Sequence, residues 1–185
     1  MGVCVKLAAE QFSAAELVFW RGFVATVLLG GYILARRLPL ATPHARTHIV
    51  RGVSGFVSLV MYFYAIAMIP LAAAVTLNYM ASVWMALFLV GGAIALGGSK
   101  VDPRLILTVL VGFAGVACVL QPAVARDQIW GGLAGLLSGV LAATAYLQVT
   151  ALGRAGEPDF RIVFYFSLGS ILAGAATTPL TGGMH

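Results

Sequence analysis

Two ionisable side chains, Glu16 and Arg21, sit inside the apolar stretch ELVFWRGFV at 16–24. On a helix of 3.6 residues per turn, a carboxylate five residues ahead of a guanidinium is turned about 140° away from it, so the two do not pair. An arginine at the centre of a membrane helix costs about 2.5–3.5 kcal/mol on insertion scales. Three roles therefore stand open for Arg21: snorkelling to the interface, meeting an acceptor on another helix, or facing a wet cavity where it binds an anionic substrate group. Glu16 lies near the end of its run, where it is either simply solvated or a proton-coupling carboxylate.

Further along, Ser54, Ser58, Met61, Tyr62 and Ala65 fall on one helical stripe. Asn78, Ser82 and Met85 repeat at i, i+4 and i+7, flanked by Tyr79 and Trp84. Such polar stripes glue helices together in lipid or line a cavity, and the residue types fit both. The substrate-binding candidates are Arg21, Tyr62, Asn78, Tyr79, Ser82 and Gln148, with Tyr146 beside the last of these; Glu16 is the coupling candidate. His44 and His48 are four apart but have no acid or cysteine beside them, so they read as loop residues and not as metal ligands. Cys4 and Cys118 lie in apolar surroundings and read as packing residues. No nucleophile–base set, nucleotide loop or paired catalytic carboxylates can be assembled, so the chain reads as neither an enzyme nor an ATP-driven pump, and no cofactor is called for.

These residues need a scaffold, and composition says which. The 185 residues are 61% hydrophobic and 9% charged, with a mean hydropathy of +1.00. A soluble domain carries about 25% charged residues, so a lipid bilayer is the expected solvent. Apolar runs long enough to cross it recur at 14–35, 52–69, 71–96, 105–120, 129–152 and 162–180. Period-two alternation is absent, which excludes a barrel. The expectation is an all-α membrane protein: a bundle of six full transmembrane helices, with residues 1–9 as the end of a partial N-terminal helix. Pro70 makes a tight hairpin of the second and third runs, and Pro103 lies near a helix start.

The basic residues sit between runs and not on one soluble face, which excludes nucleic acid as a partner. Segments 36–51, 97–104 and 153–161 hold Arg36, Arg37, Arg46, Arg51, Lys100, Arg104, Arg154 and Arg161, eight of the eleven lysines and arginines. Only Lys6 and Arg126 lie on the other side, so the three segments are expected on the cytoplasmic face of the inner membrane. Gly131, Gly135, Gly139 and Ala143 form a small-x-x-x-small ladder, a seam for close helix packing. Tyr32, Trp130 and Tyr165 read as interfacial belt residues. A weak repeat relates 15–24 to 160–169 at an offset of 145, and five intervening helices would invert the second copy.

The stretches from Arg51 to Trp84, with its IPLA hairpin, and from Gly112 to Pro122, together with E-x-x-x-x-R at Glu16 and Arg21, resemble the EamA-type branch of the drug/metabolite transporter superfamily. Within it the chain is similar to the branch that includes riboflavin and S-adenosylmethionine carriers. The resemblance implies ten helices in two inverted repeats. Residues 1–125 would be the first repeat (helix 1 truncated, helices 2–5) and 126–185 the start of the second (helices 6–7). It also implies a secondary transporter that moves a small metabolite by alternating access, here without helices 8–10. The rival expectation is a non-transporting truncated protein or packing subunit; two copies paired as a homodimer would complete a ten-helix-like bundle. Two features depart from the family pattern. Ser82 stands where many relatives carry a proline, and no acidic residue follows helix 4.

Overall fold

Ser13 opens the first long helix. Its hydroxyl accepts from the Glu16 N–H at 3.3 Å, while the Glu16 carboxylate accepts from the Ser13 N–H at 2.7 Å. This reciprocal capping box satisfies two orphan donors and starts α2, Ala14–Arg36. The computed structural model describes residues 2–9, 11–95, 103–120 and 129–177. In chain order the remaining helices are α1 (Gly2–Ala8), α3 (Ala45–Met68), α4 (Leu71–Tyr79), α5 (Ala81–Ala95), α6 (Pro103–Leu120), α7 (Ile129–Arg154) and α8 (Asp159–Thr177).

Five helical stretches among the described residues are long and apolar enough to cross a bilayer: Glu16–Arg36, Ala45–Met68, Leu71–Gly92, Ile129–Arg154 and Asp159–Ala176. The sixth expected span, 105–120, lies within the helix α6. Residues 96–102, 121–128 and 178–180, where some loop and span-end expectations fell, lie outside the described residues. Residues 1–9 were expected to end a helix, and α1 occupies 2–8.

The second span differs from expectation at its start. It begins at Ala45, not at Gly52, because nothing between Pro43 and Pro70 interrupts a helix. His48 and Arg51, expected in a polar loop, are consequently helical. The third span is jointed. The chain turns at Met80, and the Ser82 hydroxyl donates back to the Tyr79 carbonyl at 3.0 Å. Such back-bonding competes with the helix ladder and bends it, so the break needs no proline.

Helix α7 is the spine. It packs most extensively on α3 and also on α4 and α5, while α2 packs on α8. The small-residue seam explains the closeness. A Cβ at Gly131 would stand 2.8 Å from Met68 Cβ, and one at Gly139 would stand 2.7 Å from the Leu77 carbonyl oxygen. Even one methyl group would force these backbones apart. Ser58 donates to the Ser138 carbonyl at 2.8 Å and Asn78 to the Ser138 hydroxyl at 3.3 Å, fastening α3 and α4 to the same seam. The core between these helices is built on Phe63, Ile66, Ile69, Ala74 and Leu77, all essentially inaccessible.

The two ends of the bundle are closed differently. At one end Lys6 of α1 donates to the carbonyls of Ile66, Ala67 and Ile69. These are orphan acceptors at the α3 C-terminus, where a cation also meets the negative end of the helix dipole. At the other end α7 stops in a turn with Gly156 at φ +82°, a conformation glycine adopts freely. The turn lets the Glu157 N–H return to the Leu152 carbonyl at 3.1 Å and tucks the Glu157 side chain under the bundle.

Candidate functional site

Five helices meet around a polar cavity of about 170 Å³. Arg21 enters from α2, Arg51 and Ser58 from α3, Asn78 from α4, Tyr146 from α7 and Phe166 from α8. Counting 1.5 Å per residue, Arg21 lies about 10 Å into α2 from Ala14 and Arg51 about 9 Å into α3 from Ala45. The two helices start at opposite ends of the bundle, so the arginines come in from opposite faces.

Arg51 is held in a particular pose. Its guanidinium carbon lies 4.2 Å from the centre of the Phe166 ring, a cation–π arrangement. Gly55 makes this pose available. A Cβ there would collide with Nη1 of Arg51 and stand 2.8 Å from Phe166 Cε2. The guanidinium therefore rests one turn further along α3 than its own backbone, deeper into the bundle. Its Nε is buried with no hydrogen-bond partner. No carboxylate lines the cavity, and neither arginine pairs with an acid among the described residues.

Of the residues singled out by sequence, the cavity brings together Arg21, Ser58 and Asn78, with Tyr146 beside them; Arg21 and Tyr146 are exposed, and what sets them apart is that they line the cavity. The others lie elsewhere. Tyr79 is 74% exposed, and Ser82 is exposed and spends its hydroxyl on the Tyr79 carbonyl. Tyr62 is half-buried with its ring 5.9 Å from that of Phe63. Gln148, on α7, has a buried Oε1 without a partner and does not line the cavity. Glu16 is 3% exposed and serves the α2 cap, so solvation does not account for it. Arg51 is the site residue that sequence reasoning missed. Ile49 and Val50 continue the helix pattern upstream of Gly52, and they were the available signal.

A second polar cluster closes the end of the bundle where α2, α3, α7 and α8 meet. The Thr42 hydroxyl donates to Glu157 Oε1 at 2.5 Å. Arg161 donates to Glu157 Oε2 at 2.6 Å and to the Pro39 carbonyl at 2.8 Å. Tyr165 donates to the Leu40 carbonyl at 2.8 Å and packs its ring 4.9 Å from that of His48. Tyr165 is thus tied to the loop and is not a belt residue, whereas Tyr32 and Trp130 are exposed on the outer surface. His48 is buried, with neither ring nitrogen partnered. The Thr42 hydrogen bond first, and then Arg161, hold the Glu157 carboxyl below the usual carboxylate range against the opposing effect of burial. Among the described residues no three His, Cys, Asp or Glu gather as metal ligands.

An arginine-lined cavity at a helix crossing, within a bundle of apolar helices, is an arrangement suited to binding a small polar molecule inside a membrane. The pseudopaline exporter CntI of Pseudomonas aeruginosa is 36% identical over 168 residues, which cover 90% of this chain and 57% of the exporter. An uncharacterized transporter of Helicobacter pylori is 25% identical over 179 residues, covering 95% of this chain and 58% of that protein. The chain thus spans somewhat over half the length of these relatives. No solved structure matches it significantly. The EamA-like transporter family model matches residues 1–121, and with the exporter's similarity it establishes that the chain belongs to that family.

Proposed function

We propose that the chain forms part of a secondary carrier that moves a small metabolite across the cytoplasmic membrane by alternating access. The substrate site is the cavity between Arg21, Arg51, Asn78 and Tyr146. The observation that carries this reading is the convergence of five helices on one polar, arginine-lined cavity in a bundle otherwise packed with apolar and small side chains. Membership of a transporter family and similarity to an exporter support it.

Inverted repeats would place the site where equivalent helices cross. The offset of 145 makes α2 the counterpart of α8, and these two helices pack on each other. It also pairs Gly22 with Ser167 and Arg21 with Phe166. A Cβ at Gly22 would stand 3.0 Å from the Ser167 carbonyl oxygen, and Phe166 lines the cavity opposite Arg21. Contact between equivalent positions is what a two-fold axis produces.

The loops 37–44 and 155–158 meet at one end of the bundle, near Arg36, Arg37, Arg46, Arg154 and Arg161. That clustering supports a cytoplasmic assignment for this end. Arg51 no longer counts toward it, being inside α3. With the exposed Cys4 and Cys118 replaced by serine, a cysteine placed at Ala41 should react with impermeant thiol reagents only in inside-out vesicles; labelling of intact cells would reverse the orientation.

The carrier reading is tested by counterflow. Proteoliposomes holding this chain, with the full-length Pseudomonas relative reconstituted in parallel, are loaded with a labelled metabolite extract and diluted into unlabelled extract. Time-dependent exchange that fails in Asn78→Leu is the expected result. Exchange equal to empty liposomes, with the relative active, would rule out transport by this chain.

A further inference from the structure

We infer that the space between Arg21 and Arg51 is an anion-binding site, and that the transported metabolite presents a carboxylate or phosphate to it. This rests on the carrier reading above. Two cations line one cavity. Arg21 is exposed and Arg51 half-buried, and two cations that line one cavity inside an apolar helix bundle favour a group of opposite sign between them.

Among the described residues no carboxylate lines this cavity. Of the chain's six acidic residues, Glu10, Asp102, Asp127, Glu157 and Asp159 fall between the apolar runs, and Glu16 lies near the end of one. Glu16 caps α2 and Glu157 is held by Thr42 and Arg161. Snorkelling does not explain Arg51 either, because its guanidinium rests beside Gly55, one turn deeper than its own backbone. The guanidinium carbon lies over the Phe166 ring, an apolar contact that takes up none of its N–H donors, and Nε is without a partner. The N–H edge of a guanidinium matches the two oxygens of a carboxylate or phosphate. Asn78 and Tyr146 add neutral polar groups, and 170 Å³ holds one charged end of a metabolite, not a whole drug-sized ligand.

The test uses the purified chain in phosphatidylcholine nanodiscs, with citrate and inorganic phosphate as anionic probes and putrescine as a cationic control. Thermal midpoints followed by tryptophan fluorescence give apparent affinities. Citrate or phosphate should stabilise the chain and putrescine should not. Arg21→Gln and Arg51→Gln should each weaken the anion at least tenfold, with partial recovery in Arg21→Lys and Arg51→Lys. Gly55→Ala keeps both charges but displaces Arg51 from Phe166, and should weaken the anion severalfold. Monodisperse elution of each variant separates lost binding from lost folding.

Absence of anion-specific stabilisation, or stabilisation unchanged in all three weakening variants, overturns the inference. Blockage of citrate by added phosphatidylglycerol through the same arginines keeps the anion site but overturns its assignment to a soluble metabolite. Counterflow of putrescine that ignores both arginines sinks the anion site and leaves the carrier reading intact. Arginine-dependent citrate binding without counterflow of any solute does the reverse.

Discussion

Arg161 and Arg51 are the same side chain under two regimes. Arg161, at the end of the bundle, donates one Nη to Glu157 and the other to the Pro39 carbonyl, so its charge is matched by the protein. Arg51 lies over a phenylalanine in a cavity with no acid among the described residues. The first arginine fastens the loop 37–44 to the α7–α8 turn. The second is held open. A matched charge contributes to folding, whereas an unmatched one is tolerated by the fold and kept for something else.

Removing the fastening should have the largest effect on stability. Arg161→Ala leaves Glu157 without its cation and Pro39 without its donor, and should cost about 2 kcal/mol, discounted for a site at the edge of the bundle. Thermal or SDS unfolding followed by tryptophan fluorescence measures it. A loss below about 0.5 kcal/mol would mean that the cluster is ordinary surface pairing.

Acid should loosen the same cluster by a smaller amount. The folded Glu157 carboxyl titrates below its ordinary value, so its contribution is fully present above that value, near 4.5, and fades as pH falls through the lower folded value. Thr42→Val removes the leading cause of the depression and should shift the onset of acid loss to higher pH. An unshifted unfolding profile would show that Thr42 does not hold the carboxylate.

Arg51→Gln should change stability least, by under about 0.5 kcal/mol or in the stabilising direction. It gives up a ring contact but removes one of the two cations that share the cavity. A loss as large as that of Arg161→Ala would erase the contrast and make Arg51 a structural residue.

The bundle was largely legible in the sequence because a bilayer demands long apolar runs, and these survive inspection of a single chain. The α7 seam was legible for the same reason: Gly131, Gly135 and Gly139 recur on one helical face, and each meets a neighbouring helix closely. The Ser13–Glu16 cap was written as S-x-x-E but was obscured by the attention drawn to Glu16 as an isolated charge in an apolar run. Half of the arginine pair was missed because Gly52 was taken as a helix start, which placed Arg51 in a loop.

The remaining candidates failed for a different reason. Tyr62, Tyr79 and Gln148 share helices with the cavity residues, but a periodic pattern fixes which residues share a face, not which face turns inward. That choice depends on neighbouring helices. Ser82 lies beyond the break at Met80, on α5, where the stripe begun at Asn78 no longer continues. Glu157 with Thr42 and Arg161 joins residues 115 and 4 positions apart, and the longer of these pairings has no periodic trace at all.

Lys6 has a consequence for how the N-terminal segment is held. Its ammonium is engaged by three backbone oxygens at the foot of α3. It therefore serves as a local plug for a helix end and moors the short α1 to the end of a span 60 residues later in the chain. An amine-modifying reagent applied from that face should react with this lysine slowly, and Lys6→Met should speed proteolysis of α1.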